Sequence, residues 1–359
     1  MDPSSRICNV TLMLAACIWS IWSALSVARV TADDLRKYTF RQPCMGTLFQ
    51  LTLYADDQLT ANRAAKAAFD RILTLDAALS DYKADSELNQ LCKTSGTHQP
   101  TPVSDDLWSV LVFSKSLCKE TGGAFDVTIG PLVKLWRSAR KTGELPDEAA
   151  LRLAGERVDC GSLMALDEGG HRVTLTASAM QLDLGGVAKG YALDAVVGIV
   201  RKKFGITRVL IDGGGDVLAG DPPPGRDYWS VAVRNPKNEE QPWMVPLANA
   251  ALATSGDLHQ FVEIGGVRYS HIVDPSTGMG LTHQLQVSVL APTGTEADAL
   301  ASAVSVLGNP KGLEFIKARQ KCETLIVFSD QGKTRTVSTQ GFPLKTIPWG
   351  GTQGHGATE

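Results

Sequence analysis

The chain has 359 residues, which is enough for one large domain or two small ones with a buried core. Its net charge of −3 provides no basic field that would attract nucleic acid, and its aromatic content of 6% argues against a stacking platform for single strands. The hydrophobic fraction of 43% and the charged fraction of 20% indicate an ordinary globular protein.

The N-terminal segment differs from the rest because Arg6 is its only charge between residues 3 and 28. This composition predicts an export signal or a membrane anchor that is not part of the fold. Three forms remain open: lipidation of Cys17, cleavage after small residues at Ala28 or Ala32, and an uncut anchor about long enough to span a bilayer. All three predict an exported domain on the periplasmic side of the inner membrane, so that the membrane is contacted only through the N-terminus.

The remaining elements mix strands and helices without a regular βαβ rhythm, which favours an α+β fold over a doubly wound sheet. Alternating or short apolar runs predict strands at 47–54, 173–182, 209–211, 229–233, 286–290 and 324–328. Helical apolar spacing predicts helices at 59–79, 105–121, 190–203 and 296–307. The chain is therefore divided into a signal or anchor at 1–32, one domain at 33–347 and a polar tail at 348–359.

The seven cysteines contain no CxxC pair, so neither a zinc ribbon nor a thioredoxin site is indicated. Five of them follow the N-terminal segment: Cys44, Cys92, Cys118, Cys160 and Cys322. This odd, scattered set predicts mostly buried free thiols. One disulfide remains open in an oxidising compartment, and the sequence does not choose the pair.

Two glycine-containing segments are candidates for contact with a ligand. Residues 182–191 predict a strand end, two glycines and a helix start, where backbone groups can approach an anion and Lys189 adds positive charge. The alternative is a tight turn with a solvated lysine. Residues 212–216 place three glycines between two aspartates, which predicts either a hairpin or bulge, or backbone lying against a flat or charged ligand. Neither segment is a dinucleotide fingerprint or a P-loop.

Two further segments carry polar side chains. His271 and Asp274 lie three residues apart in a turn that Pro275 and Gly278 close, which is compatible with a phosphate donor or acid–base catalyst, or with a pair that braces the loop. Asp298 and Ser302 occupy positions i and i+4 of a predicted helix and share one face. Their hard oxygens suit magnesium, although an aspartate near a helix N-terminus is also favoured by the dipole alone.

Together with three shorter segments at 44–47, 80–82 and 122–128, these four resemble the ApbE family of FAD:protein FMN transferases. The resemblance runs from about residue 45 to residue 307, with the motifs in the family's order. Each motif alone is unspecific, whereas seven in order are specific. The resemblance implies an enzyme with a single ApbE-like catalytic domain of mixed sheets packed with helices.

The resemblance also implies site residues. Eight residues would bind FAD, through contacts with its flavin ring, as lining of its pocket, through its phosphates or through a backbone group: Met45, Tyr82, Ala124, Phe125, Asp126, Asp183, Lys189 and Ile272. Magnesium would be held by the Gly186 carbonyl, Asp298 and Ser302. His271 would lie near the pyrophosphate, and His271 and Asp298 are the catalytic candidates. Two positions depart from the family pattern. The position of Gly186 is often alanine, which does not matter for a carbonyl ligand. Ser302 replaces a usual threonine; the hydroxyl is kept, but serine is less fixed in its rotamer, which predicts a lower metal affinity.

The function implied by the resemblance is magnesium-dependent transfer of FMN from FAD to a Thr or Ser hydroxyl of an exported or membrane flavoprotein, with release of AMP. Two alternatives use the same pocket. One is a magnesium-dependent FAD pyrophosphatase that releases FMN and AMP, and the other is a flavin-binding protein without turnover. The identity of the base stays open between Asp298, His271 and no protein base.

Overall fold

The computed structural model describes residues 35–236, 238, 240–256, 260–282 and 285–344. The predicted export segment and polar tail lie outside these residues, as do the last three residues predicted for the domain. Within the described part of the chain, no helix is both long enough and apolar enough to cross a bilayer.

Fifteen strands and eight α-helices make up the described chain. The strands are β1 (Arg36–Cys44), β2 (Thr47–Ala55), β3 (Thr101–Pro102), β4 (Met164–Asp167), β5 (Arg172–Leu175), β6 (Val209–Gly213), β7 (Val217–Ala219), β8 (Trp229–Val233), β9 (Trp243–Leu247), β10 (Ala250–Gly256), β11 (Phe261–Ile264), β12 (Val267–Ser270), β13 (Leu285–Ala291), β14 (Glu323–Asp330) and β15 (Lys333–Ser338). The helices are α1 (Gln58–Leu79), α2 (Glu87–Lys93), α3 (Asp105–Glu120), α4 (Gly130–Thr142), α5 (Glu148–Gly155), α6 (Ala188–Phe204), α7 (Gly294–Leu307) and α8 (Lys311–Lys317). This arrangement confirms the predicted mixture of sheets and helices.

An eight-stranded antiparallel sheet in the order β1-β2-β6-β7-β10-β13-β14-β15 organises the molecule. In β2, Phe49, Leu51 and Leu53 alternate along the strand and are fully buried, as a sheet with one covered face requires. Helix α6 packs against α1 and α7, and α7 packs on β10 and β13. The helices thus cover the middle of the sheet and bring the 188–204 and 294–307 segments into contact.

One predicted strand is much shorter than expected. Strand β5 ends at Leu175, whereas the alternation predicted extended chain to residue 182. Ala179 takes a φ of 56°, which lies in the left-handed region and turns the chain out of the extended path. Beyond this turn only Gln181 forms a bridge, with Ile129, so 176–182 serves as a connection that leads into the glycine turn before α6.

A disulfide joins Cys118 at the end of α3 to Cys160 in the loop before β4. The other cysteines of the described chain, Cys44, Cys92 and Cys322, are free and buried. The expectation of mostly buried free thiols therefore holds for three of these five cysteines. The two bonded residues are 42 positions apart, and this separation explains why the sequence alone did not select the pair.

Candidate functional site

The crossing of α6 and α7 creates the centre of the candidate site. A Cβ on Gly190 would lie 2.1 Å from the Gly294 carbonyl oxygen and 2.8 Å from the Asp298 Cβ, so only glycine permits this approach. At the crossing the Gly190 amide donates to Asp298 Oδ2 at 3.0 Å. Asp194 on α6 accepts from the Gly294 amide at 2.7 Å and caps the start of α7. These contacts fix the position of the buried Asp298 carboxylate.

The glycine turn before α6 lies directly against Ser302. A Cβ on Gly186 would be 2.7 Å from Ser302 Oγ and 3.5 Å from the Phe125 ring. Because Asp298 and Ser302 share one face of α7, the structure brings together the turn, the carboxylate and the hydroxyl that were predicted as magnesium ligands. The absence of a side chain at Gly186 leaves room for Ser302 Oγ at this point.

The centre carries a partly compensated set of charges. Lys189 forms an ion pair with Asp216, whose side chain is only 4% exposed. Burial raises the pKa of Asp298 to about 7; Lys189 opposes this shift, while Asp216 adds to it. Burial disfavours the charged form of Lys189, but Asp298, Asp216 and Asp212 outweigh that effect and raise its pKa. Asp298 is therefore a carboxylate whose charge the protein alone does not fully stabilise at neutral pH.

The segment with three glycines supports this centre from the sheet. Asp212 Oδ1 accepts from the amides of Gly214 and Gly215 at 2.9 and 3.0 Å, which folds the loop back. Asp216, which follows this loop, forms the ion pair with Lys189. Gly214 also packs against Thr47, since a Cβ there would be 2.4 Å from Thr47 Oγ1.

Met45 occupies the hairpin next to this loop. Met45 and Gly46 form the two-residue turn between β1 and β2, and their φ values of 48° and 75° match the left-handed conformation that such hairpins require. The Met45 side chain is partly buried against the main core.

A second group of predicted FAD residues surrounds Arg137 on α4. Its guanidinium lies 2.5 Å from an Asp81 oxygen and 3.0 Å from an Asp183 oxygen, and its carbon is 4.2 Å from the centre of the Tyr82 ring. Tyr82 is 77% exposed. Asp183 also accepts from the Gly185 amide at 2.8 Å, which connects this group to the glycine turn at the centre. Burial and the neighbouring Asp81 raise the pKa of Asp183, and Arg137 opposes this.

The 122–128 segment lies beneath the glycine turn. Phe125 is buried beside Gly186, and Ala124 is partly exposed. Asp126 is buried and accepts from Thr128 N and Oγ1 at 2.8 and 2.6 Å and from the Cys160 amide at 2.9 Å. Burial raises the pKa of Asp126, and these three hydrogen bonds oppose the shift. In this arrangement Asp126 holds the segment in shape.

His271 follows β12 at the edge of the site. Its Nδ1 lies 3.1 Å from the Gln260 carbonyl oxygen, and burial lowers the pKa of His271 to about 4, so the ring is neutral at pH 7. Asp274 accepts from the Ser276 amide and hydroxyl, so its carboxylate braces its own turn. Ile272 donates its amide to Ser270 Oγ and accepts from the Leu281 amide at 2.9 Å.

A cleft of about 560 Å³ opens beside Asp81 and Tyr82. Its wall includes Asn89, Lys93 and Lys134, whereas Lys189 and Asp298 do not line it. The cleft is thus adjacent to the Arg137 group and separate from the charged centre. Three residues that sequence reasoning did not assign, Arg137, Asp194 and Asp216, acquire their importance only from contacts between segments distant in the chain.

This arrangement of an antiparallel sheet and covering helices is similar to that of flavin transferases of known structure. The apo crystal structure of the flavinyl transferase ApbE from Pseudomonas stutzeri superposes with a TM-score of 0.76 at 27% identity, covering 86% of this chain and 96% of that one.

The sequence comparisons agree with this likeness. The model of the ApbE family matches residues 45–326. A protein named FAD:protein FMN transferase from Treponema pallidum is 32% identical over 313 residues, which cover 83% of this chain and 86% of that protein. A protein of the same name from Haemophilus influenzae is 30% identical over 341 residues, covering 92% and 97%. The chain belongs to the ApbE family, and the expectation of an enzyme of this family is confirmed.

Proposed function

We propose that this protein transfers the FMN half of FAD, with magnesium, to a threonine or serine hydroxyl of an exported or membrane flavoprotein. The observation that carries the proposal is the convergence of Gly186, Asp298 and Ser302 beside Lys189 in a chain whose relatives are named for this transfer. The predicted FAD residues Met45, Tyr82, Ala124, Phe125, Asp126, Asp183, Lys189 and Ile272 belong to the same proposal.

The donor set suits magnesium. The Asp298 carboxylate accepts one amide hydrogen from Gly190 and keeps further lone pairs, and a divalent ion would offset the charge that burial disfavours. Ser302 Oγ lies in the space that a side chain at residue 186 would fill. The residues Gly186 (through its carbonyl), Asp298 and Ser302 would hold the ion, which would neutralise charge on the phosphates when bound.

The proposed reaction is a substitution at phosphorus. The acceptor oxygen forms a bond to the FMN-side phosphorus, the bond from that phosphorus to the bridging oxygen breaks, and AMP leaves with the bridging oxygen. Reactions of this kind depend mainly on positioning and charge stabilisation. Lys189, whose charge is maintained by Asp298 and Asp216, is suited to orient the anionic pyrophosphate.

The hydroxyl proton has two candidate acceptors in the chain. His271 is neutral at pH 7 and can accept a proton, although its low pKa makes it a weak base. Asp298 has a pKa of about 7 without metal, but a carboxylate that binds magnesium is a poorer proton acceptor. We therefore propose His271 near the pyrophosphate as the proton acceptor and Asp298 as the metal ligand.

An exported location is part of the proposal. The apolar N-terminal composition supports it, as does the Cys118–Cys160 disulfide, because such bonds persist mainly in oxidising compartments. Fractionation that recovers the protein from the periplasm or the inner membrane is the expected result. Recovery from the cytoplasm with Met1 retained would contradict it.

Substitution of Tyr82 tests the flavin contact. Tyr82→Ala should weaken FAD binding by about 1–3 kcal/mol, because the isoalloxazine ring of FAD would lose its stacking partner. Calorimetric titration with FAD measures the change. Since the ring is largely exposed, the fold should be unaffected, and equal melting temperatures of the two proteins provide the control. An unchanged FAD affinity would remove Tyr82 from the site.

The raised pKa of Asp298 predicts a pH-dependent response to magnesium. Folded Asp298 binds its proton more tightly than the unfolded residue, so its contribution to stability is lost as pH rises towards about 7. Magnesium binds the ionised form and should restore that stability. Addition of MgCl₂ should therefore raise the melting temperature more at pH 8 than at pH 6, whereas Asp298→Asn should show no such difference. An equal response of the wild-type protein at both pH values would place the metal elsewhere.

Incubation with FAD and magnesium in the absence of an acceptor separates the proposal from its alternatives. A transferase should convert FAD slowly and accelerate when a hydroxyl-bearing acceptor is added. Fast release of FMN and AMP without acceptor would indicate the pyrophosphatase, and bound but unchanged FAD in both conditions would indicate a binding protein. Chromatography of the three nucleotides measures all of these outcomes.

A further inference from the structure

Arg137 contacts two residues of the predicted FAD site, Tyr82 and Asp183, and also the neighbouring Asp81. Its two terminal nitrogens face Asp81 and Asp183, and its guanidinium carbon lies over the Tyr82 ring, 4.2 Å from the ring centre. Its side chain is 24% exposed, and the two carboxylates are 15% and 12% exposed. A lysine could not reproduce this geometry, because only a planar guanidinium pairs with two carboxylates and stacks on a ring at once.

The backbone of the 80–83 loop is positioned independently of Arg137. Asn89 on α2 donates to the carbonyl oxygens of Asp81 and Lys83 at 3.0 and 2.9 Å. Lys83 forms an ion pair with Asp76 at 2.6 Å on the other side. Arg137 therefore acts on the side chains of Asp81 and Tyr82, while Asn89 determines the course of the loop.

The guanidinium covers one face of the Tyr82 ring. The ring is nevertheless 77% exposed, so its other face is open to a planar ligand. An exposed tyrosine without a partner would sample several rotamers and would lose that freedom on binding. A ring already held by a cation over one face has less freedom to lose, and this lowers the entropic cost of binding.

We propose that Arg137 is a positioning residue for the flavin: it holds the Tyr82 ring so that the open face is ready to stack on the isoalloxazine. The proposal rests on the proposed FAD binding and adds a residue to it. Because Arg137 touches Asp183, and Asp183 accepts from Gly185, the same contact aligns the flavin end of the site with the glycine turn at the charged centre.

The test is a double-mutant cycle on FAD affinity, measured by calorimetry without magnesium. Arg137→Met should raise the FAD dissociation constant about threefold to tenfold. In the Tyr82→Ala background, Arg137→Met should add nothing further, because the residue it positions is gone. Turnover should show a raised KM for FAD with kcat nearly retained, which a general loss of structure would not produce.

Arg71→Met is the matched control. Arg71 is 27% exposed and pairs with Asp106 through two contacts of 2.7 and 2.5 Å away from this group, so its loss removes a comparable ion pair without altering FAD affinity. Arg137→Lys provides a variant that keeps a cation if Arg137→Met does not fold. Arg137→Lys should also weaken FAD binding, since an ammonium group has no planar face to lie over the Tyr82 ring.

Two results would overturn the proposal. Wild-type FAD affinity in Arg137→Met or, where that variant does not fold, in Arg137→Lys would show that the guanidinium does not prepare the site. Losses that multiply in the double variant would show that Arg137 acts independently of Tyr82. Failure of the proposed FAD stacking would be distinguishable from failure of the Arg137 proposal, because in that case Tyr82→Ala alone would leave the FAD affinity unchanged.

Discussion

Asp298→Asn should reduce FMN transfer by at least about 100-fold, the loss typical of removing one group that stabilises developing charge. Asparagine keeps the size of the side chain and can still accept the Gly190 amide hydrogen, so the crossing of the helices should survive. It removes the negative charge that would attract magnesium. FAD should still bind, because Tyr82 and the Arg137 group lie apart from this carboxylate. Transfer rate against magnesium concentration measures the effect.

Glu296→Gln is the control for this substitution. It makes the same chemical change two residues earlier in α7, where Glu296 contacts the helix-capping Thr293. Its transfer rate should equal that of the wild type. Ser302→Ala should have a milder effect than Asp298→Asn, since water can take one position on magnesium. A wild-type rate with wild-type magnesium dependence in Asp298→Asn would contradict the proposed metal site.

Gly190→Ala should both destabilise the protein and impair transfer. The added Cβ would lie 2.1 Å from a backbone oxygen of α7, so the helices must separate. Such overpacking costs about 1–3 kcal/mol or more of the free energy of unfolding. Separation of the helices would also move Asp298 relative to the glycine turn. Urea unfolding and the transfer rate, measured on the same preparation, test the two effects.

Gly198→Ala, on the same helix, should have the opposite effect on stability. A Cβ at residue 198 would meet no atom within 4 Å, so alanine should raise stability by up to about 1 kcal/mol through its higher helix propensity. Transfer should be unchanged. If the two variants had equal stability, the close approach of α6 and α7 at Gly190 would not be a determinant of the fold.

Local patterns predicted some of the long elements well, whereas the nine-residue strand β1 and the thirteen-residue helix α4 were missed. Alternation in β2 and helical spacing in α1, α6 and α7 are strong because each element buries one continuous face. The shared face of Asp298 and Ser302 followed directly from helical periodicity. The short strands β3, β4 and β7 were missed, since two to four residues carry too little pattern to separate a strand from a loop.

The contacts that complete the site could not be predicted from the chain. Asp216 meets Lys189 from 27 residues away, and Arg137 meets Asp183 from 46 residues away. No local periodicity relates such positions, because the order of strands in the sheet decides which segments become neighbours. The disulfide partner of Cys118 was open for the same reason.

The most direct test of the proposed activity is the intact mass of an exported flavoprotein acceptor after incubation with the purified protein, FAD and magnesium. We expect the acceptor to gain the mass of FMN less one water on its target threonine, with one AMP released per adduct. The same acceptor with that threonine changed to valine should gain nothing. An acceptor of unchanged mass, with FMN and AMP accumulating in solution, would contradict the transfer and indicate hydrolysis of FAD.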